Sequence, residues 1–274
     1  MEKKRSEIGY NILRPFVIAY FKLKYHPKVY GKENIPTSGP IVVCGNHRHT
    51  NDQFNVMMLT KRVIHYMAKD EYFKGKNAWF FRMAGCISVD RSIHDENAKS
   101  EAKDVLNSGG ALGIFPEGTR NEITCKEAKL NALYEIVKDD MSKEELVNKI
   151  KYESIRYTQV DLLIELKNKK VITNDELKKY VFTADDSLKM LLKNKKITKS
   201  EYEDSLMIPF KFGAVSLAQK TNALILPFAT SGLYTGKKGK LVTRIGKPFS
   251  VQDMDLEKAN TILREKILEL MQDD

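Results

Sequence analysis

The sequence predicts an α/β fold: a mixed, mainly parallel sheet covered by helices, with an N-terminal amphipathic helical segment and an inserted α-helical subdomain. Three observations predict it. Short β-branched runs alternate with helical patterns over residues 41–120 and again after residue 206, the rhythm of strands joined by crossover helices. Residues 121–206 break that rhythm with helical patterns alone. The length of 274 residues, with 42% apolar and 30% charged side chains, suits one large domain carrying a guest and excludes a wholly disordered or collagen-like chain.

Each element has its own signal. In the segment 6–25, Ile8, Ile12, Leu13, Phe16, Val17, Tyr20, Phe21 and Leu23 lie among Arg14, Lys22 and Lys24. An apolar face flanked by cations suits a helix in a lipid interface, and equally a helix packed on the body; Pro15 can kink either version. Ile41–Cys44, between Gly39-Pro40 and Gly45, reads as a buried strand. Thr50-Asn51-Asp52-Gln53 resembles a capping box opening a helix through Thr60. Strands follow at Val63–Met67, Cys86–Val89 and Ala111–Phe115, with helices at Ala78–Met83 and Asn97–Asn107. After residue 206 come a helix at Ala214–Thr221, strands at Ala223–Phe228 and Leu241–Ile245, and a helix over Leu256–Met271.

The middle is read as an internal repeat of helical hairpins. Ser142-x-x-Glu145, Thr173-x-x-Glu176 and Thr198-x-x-Glu201 can each cap a helix reciprocally. Leu166-Lys-Asn-Lys-Lys and Leu192-Lys-Asn-Lys-Lys, before the last two, are identical. The pattern resembles a short hairpin module found at the C-termini of bacterial proteins. The division expected is therefore 1–25 as a membrane-interface helix, 26–120 with 207–274 as the α/β body, and 121–206 as the insertion.

Charge separates these parts. Lys and Arg number 46 against 36 Asp and Glu, a formal +10. Residues 121–206 carry 17 of each sign, so the remaining 188 residues hold the whole excess; residues 1–40, with eight basic and three acidic side chains, hold half of it. Such a surface points to anionic partners. A neutral helical middle without a basic, aromatic-interleaved stripe argues against nucleic acid. Cys44, Cys86 and Cys125 lie far apart with no C-x-x-C pair, which indicates neither a disulfide framework nor a zinc site and implies a reducing, cytoplasmic setting. No run approaches the roughly 18–20 apolar residues of a bilayer span, and the charged start followed by a short apolar stretch does not read as a signal peptide.

Four constellations can carry chemistry. Asn46-His47-Arg48-His49-Thr50-Asn51-Asp52 follows a strand, placing His47 in a loop and Asp52 in a first helical turn. The carboxylate can fix the tautomer and leave the other ring nitrogen as a base; a surface loop with a helix cap fits the same residues. In Phe115-Pro116-Glu117-Gly118-Thr119-Arg120, Gly118 permits close backbone approach and Thr119 and Arg120 suit a phosphate. Glu117 can accept from a substrate hydroxyl or position Arg120, and an ordinary turn with a solvated Arg is the plain alternative. Gly85 to Arg91 ends a strand in Asp90-Arg91, a phosphate ligand or a structural ion pair. Lys211-Phe212-Gly213-Ala214 leads into a helix, followed by Leu226-Pro227-Phe228 in a strand.

Together and in this order, these blocks resemble the glycerolipid acyltransferase family, over residues from about 28 to 120 and 207 to 250. FPEGTR at 115–120 is the strongest single match. The resemblance implies transfer of a fatty acyl group from acyl-CoA or acyl carrier protein to the sn-2 hydroxyl of a lysophosphatidic acid. It implies His47 as base, Asp52 as its partner, and Arg91, Glu117, Gly118, Thr119, Arg120 and Lys211 on the lysophospholipid acceptor. No metal or bound cofactor is implied, and the enzyme is expected at the inner face of an anionic membrane, attached peripherally. Two features depart from the family: His49 stands where Ser is usual, and the insertion separates Arg120 from Lys211. A self-folding insertion with its ends close together need not disturb the site. Alternatives are a related transferase with another acceptor, such as glycerol-3-phosphate or an amino-lipid, and a non-enzymatic helical binding protein; residues 121–206 offer a possible protein-partner surface.

Overall fold

The computed structural model describes residues 2–93, 95–153, 155–236 and 240–272. Helix α1 (Glu2–Tyr25) precedes strands β1 (Lys28–Tyr30) and β2 (Ile41–Gly45). Then come α2 (Asp52–Met57), β3 (Ile64–Lys69), α3 (Ala78–Met83), β4 (Ile87–Val89), α4 (Glu96–Asn107) and β5 (Ala111–Ile114). Six helices follow without a strand: α5 (Glu127–Val137), α6 (Lys143–Glu153), α7 (Tyr157–Asn168), α8 (Asn174–Tyr180), α9 (Ala184–Lys193) and α10 (Lys199–Leu206). Helix α11 (Gly213–Lys220), strands β6 (Leu224–Gly232) and β7 (Leu241–Ile245) and helix α12 (Leu256–Gln272) complete the fold.

The strands form one sheet in the order β1-β7-β6-β2-β5-β3-β4. Only β6 and β7 pair antiparallel, so the sheet is mixed and mainly parallel, as the alternation predicts. Strand β2 shows why both faces are covered. Val42 and Cys44 enter the core on one face while Ile41 and Val43 enter the core on the other, the period-2 alternation of a pleated strand. Each fully buried aliphatic side chain contributes about 1.5–3 kcal/mol of transfer free energy.

The core on the Val42 face runs without a break into the helices of the middle, taking in Leu133, Leu163, Leu188 and Leu206. The extra helical region therefore shares its core with the body instead of folding on a separate one. Its ends do lie together: Asn121 Nδ2 donates to Thr158 Oγ1 at 2.8 Å, and Thr158 Oγ1 donates to the Ser205 carbonyl at 2.5 Å. The Thr173 and Thr198 capping boxes form in full, and Ser142 and Glu145 exchange the equivalent bonds. The identical pentapeptides, however, are one residue out of structural step. Val171 N returns to the Leu166 carbonyl, whereas Lys196 N returns to that of Leu191, not Leu192; Lys170 and Lys195 take the left-handed conformation (φ 59° and 55°). The equivalence is set by the turn and the cap that follows it.

Three boundaries differ from expectation. Strand β1 has no clear pattern in three residues and exists because its backbone pairs with β7. Strand β6 extends to Gly232 because β7 supplies an antiparallel partner there. Thr50 makes no capping box: α2 begins at Asp52 with Asn51 as an N-cap that makes no side-chain capping bond, because the Asp52 carboxylate itself takes the amides of the preceding loop. The helix also stops at Met57, short of Thr60.

Helix α1 packs one face on the body, one of the two readings of its sequence, and leaves another face exposed. Tyr10, Ile18, Phe21 and Tyr25 are buried against the body, while Ile8, Ile12, Phe16, Tyr20 and Leu23 stand 53–73% exposed. Their spacing of four, four, four and three residues makes them one stripe. It runs through Pro15 without interrupting the helix. Among the described residues no helix is long and apolar enough to cross a membrane.

Candidate active site

The parallel topology gathers the separated motifs. Strands β2, β5, β3, β4 and β6 all run the same way, so the loops leaving their C-terminal ends share one edge of the sheet, the usual site of ligand binding in such folds. His47 follows β2, the 115–120 loop follows β5, Arg91 follows β4, and Tyr234 lies just past β6.

At the centre, His47 Nδ1 lies 2.9 Å from Asp52 Oδ2. Asp52 is wholly buried and every donor around it converges on its carboxylate. Arg48 N and His49 N donate to Oδ2 at 2.7 and 2.8 Å, and Tyr234 Oη donates to Oδ1 at 2.5 Å. Burial is the largest influence on this acid and works against the charge; the bonds from His47, Tyr234 and the loop amides prevail, and its pKa is lowered. An ionised Asp52 accepts only, so Nδ1 of His47 carries the proton and Nε2 is the basic nitrogen. The His47 ring stacks on Phe115 at 4.0 Å and 13°, which fixes its plane.

Behind Asp52 lies a buried polar chain. Thr243 Oγ1 donates to Asn55 Oδ1 and Asn55 Nδ2 to Tyr234 Oη, each at 2.8 Å, so Tyr234 has its own proton left for Asp52. Sequence reasoning missed Asn55, Tyr234 and Thr243, since no spacing signals partners that meet only across β6 and β7. Asn46 was passed over too; its amide exchanges bonds with Thr230 N and O at 2.8 and 2.9 Å and pins the end of β2 to β6. His49 does not compete for Asp52 with its ring. The ring stacks on Tyr234 at 3.9 Å, and its Nδ1 accepts from Asn51 N at 3.1 Å. Burial lowers its pKa, which favours the neutral form.

A cavity of about 540 Å³ opens in front of His47. Its lining combines three cations, Lys69, Arg91 and Arg120, with apolar side chains that include Leu13 and Val17 from α1, Met57 from α2 and Phe80 from α3. Lys69, at the end of β3, was absent from the sequence reading. Thr119 also lines the cavity. Arg120 Nη1 stands 3.7 Å from Glu122. Asp90 and Arg91 form no ion pair; the Asp90 carboxylate accepts from Ser92 N and Oγ instead.

The remaining sequence candidates sit behind the cavity wall. Glu117 is buried, and its two oxygens accept from His47 N at 2.6 Å and Ile208 N at 2.9 Å. It thus joins the His47 loop to the chain returning from the helical region. Burial pushes its pKa up to about 8 against the pull of these amides. Gly118 adopts φ 71°, and a Cβ there would lie 2.9 Å from Lys211 Cε, so Lys211 packs across the glycine. Lys211 N also donates to the Pro116 carbonyl at 2.9 Å. The bond from Asn121 N to the His47 carbonyl at 2.7 Å closes the frame around the histidine.

Comparison with known proteins finds a family match and partial relatives. The family model described as Acyltransferase matches residues 26–231. A 1-acyl-sn-glycerol-3-phosphate acyltransferase of Bacillus subtilis (strain 168) is 34% identical over 97 residues, covering 34% of this chain and 48% of the relative. One of Saccharomyces cerevisiae (strain ATCC 204508 / S288c) is 31% identical over 126 residues, covering 39% of this chain and 37% of the relative. The matches thus span less than half the length of either curated relative. Among solved structures, the 1-acyl-sn-glycerophosphate (LPA) acyltransferase PlsC from Thermotoga maritima aligns with 94% of this chain and 80% of its own at 16% identity and a TM-score of 0.49.

Proposed function

The chain belongs to the Acyltransferase family, and from that premise we propose that it transfers a fatty acyl group from acyl-CoA or acyl carrier protein to the sn-2 hydroxyl of lysophosphatidic acid, giving phosphatidic acid. That the protein is an acyltransferase follows from the family; the acceptor, the donor and the residue roles are the proposal. One observation carries it: a His47–Asp52 pair faces a cavity whose lining holds both cations and apolar side chains. A lysophospholipid offers the matching pair, a phosphate and a chain.

In this reading Nε2 of His47 takes the proton of the acceptor hydroxyl as its oxygen attacks the thioester carbonyl. The tetrahedral intermediate collapses, the C–S bond breaks, and the departing thiolate recovers a proton from the imidazolium. Asp52 orients the ring and stabilises its charged form; such general-base help contributes about 10²–10⁴ in rate. Arg91, Thr119 and Arg120 receive the lipid phosphate. Glu117, Gly118 and Lys211 act from behind, setting the loop that presents His47 and Arg120. No metal or resident cofactor takes part.

The exposed stripe of α1 supports a peripheral site of action, on the cytoplasmic face of an anionic bilayer. Leu13 and Val17 of the same helix line the cavity, so an acceptor can pass from the lipid surface along α1. Residues 1–25 would then be the interface segment, 26–120 with 207–274 the catalytic body, and 121–206 an addition. Acyl transfer measured on purified protein with lysophosphatidic acid or glycerol-3-phosphate, each with both thioester donors, tests the reading. Activity confined to glycerol-3-phosphate would refute the acceptor, and no transfer from either thioester would refute the donor class.

A further inference from the structure

A second cavity, of about 520 Å³, lies on the other side of the His47 loop, between the body and helices α7, α9 and α10. Its floor holds two arginines, Arg48 and Arg156, each only 6% exposed. The Nε of each is buried without a hydrogen-bond partner. Among the described residues Arg48 reaches one acceptor, the carbonyl of Gly232, through Nη2, and has no carboxylate within ion-pair distance. Arg156 Nη1 stands 3.4 Å from Asp185, but that carboxylate also accepts from Gln159 at 3.0 Å and pairs with Lys189 at 3.0 Å. Four cations (Arg48, Arg156, Lys189, Lys199) line the cavity against three carboxylates (Glu153, Asp185, Asp186). A buried guanidinium without a counter-charge is costly; burial first, and then the charge of Arg156, depress Arg48 to about 10.

Two further features suit an anion. Arg156 is the N-cap of the 12-residue α7 and makes no side-chain capping bond, so the positive end of that helix adds to the guanidiniums. The rim is open to solvent, with Thr183, Asp186, Lys189 and Lys199 exposed. We propose that this cavity is a second ligand site, in which a phosphate group of a small molecule binds across Arg48 of the His47 loop and Arg156 of the helical region. Planar guanidiniums match phosphate oxygens bidentately, and the two unpartnered Nε donors are what such a ligand would use. Arg48 N is bonded to Asp52 Oδ2, so occupancy bears directly on the loop that carries His47. The phosphate can belong to a free metabolite or to coenzyme A; the chemistry of recognition is the same.

Thermal melts of the full chain with inorganic phosphate at constant ionic strength test the proposal, without relying on acyl transfer. The expected result is a saturable rise in Tm for wild type, with the apparent affinity at least about tenfold weaker in Arg156→Gln and in Lys189→Ala, and the rise retained in Arg120→Gln of the first cavity. Lys189 lies on the exposed rim, so its substitution reports on the site even where Arg156→Gln does not fold. A phosphate effect absent in wild type, or one that Arg120→Gln abolishes and Lys189→Ala leaves intact, overturns the proposal. Repeating the titration with coenzyme A separates the two sources. Weakening by the same variants assigns the phosphate to the thioester carrier; indifference to them assigns it to a free phosphorylated molecule.

Discussion

Tyr234 donates its hydroxyl proton to Asp52 Oδ1 at 2.5 Å across 182 positions of sequence. With the His47 bond on Oδ2, this leaves the carboxylate one orientation, so the plane of the imidazole is set from the far end of β6. Tyr234→Phe removes that donor while keeping the ring that stacks on His49. The expected cost is about 1 kcal/mol of stability and a roughly tenfold fall in kcat with KM little changed. Denaturant melts and steady-state kinetics check it; an unaltered kcat would show that His47 and the loop amides suffice.

His47→Ala is expected to lower kcat by about 10²–10⁴ with the fold intact, since the ring lines the cavity. Asp52→Asn is expected to damage both properties. An amide would turn an NH2 toward donors, stranding buried groups at about 1–3 kcal/mol. Circular dichroism beside turnover separates the two variants. Equal unfolding of both would contradict the distinction.

Arg120 lines the first cavity and stands 3.7 Å from Glu122. Arg120→Ala should raise KM for a phosphorylated acceptor by about tenfold, with kcat within about twofold. Initial rates over a range of acceptor concentration decide it, and unchanged acceptor kinetics would remove the assigned role.

The pKa of Glu117 stands at about 8 in the fold against an ordinary 4.5. The folded state therefore binds the proton more tightly, so this contribution is complete below the unfolded value and is lost as pH rises through the folded one. Wild type should lose stability relative to Glu117→Gln between about pH 5 and pH 8. Melting temperatures of both proteins across that window test the sign: a wild-type advantage that grows with pH is the contrary result.

Ile8, Phe16 and Leu23 project from α1 without packing on the body. Replacing all three with Ser should leave Tm nearly unchanged and reduce flotation with anionic vesicles at least tenfold, because each apolar side chain contributes about 1.5–3 kcal/mol when fully buried. Undiminished flotation would move the membrane contact to another surface.

The sequence by itself determined the periodic elements, the helical character of the middle, and the residues of the His47 and 115–120 loops. These are local properties: apolar period, capping chemistry, and a spacing that lets Asp52, in a first helical turn, reach back to His47 in the loop before it. It also offered two readings of α1, and the fold shows the one in which an apolar face packs on the body, with a second apolar stripe left exposed. Only the tertiary structure decided which side chains look into the cavity. Arg91, Thr119 and Arg120 line it, Lys69 joins them, and Glu117 turns inward to bind His47 N and Ile208 N. Only the tertiary structure, too, brought Tyr234, Asn55 and Thr243 to Asp52, and set Arg48 beside Arg156 beneath the helical region. Those meetings depend on strand order, with β6 beside β2 and β7 beyond it, and strand order arises from long-range pairing that no window of sequence contains.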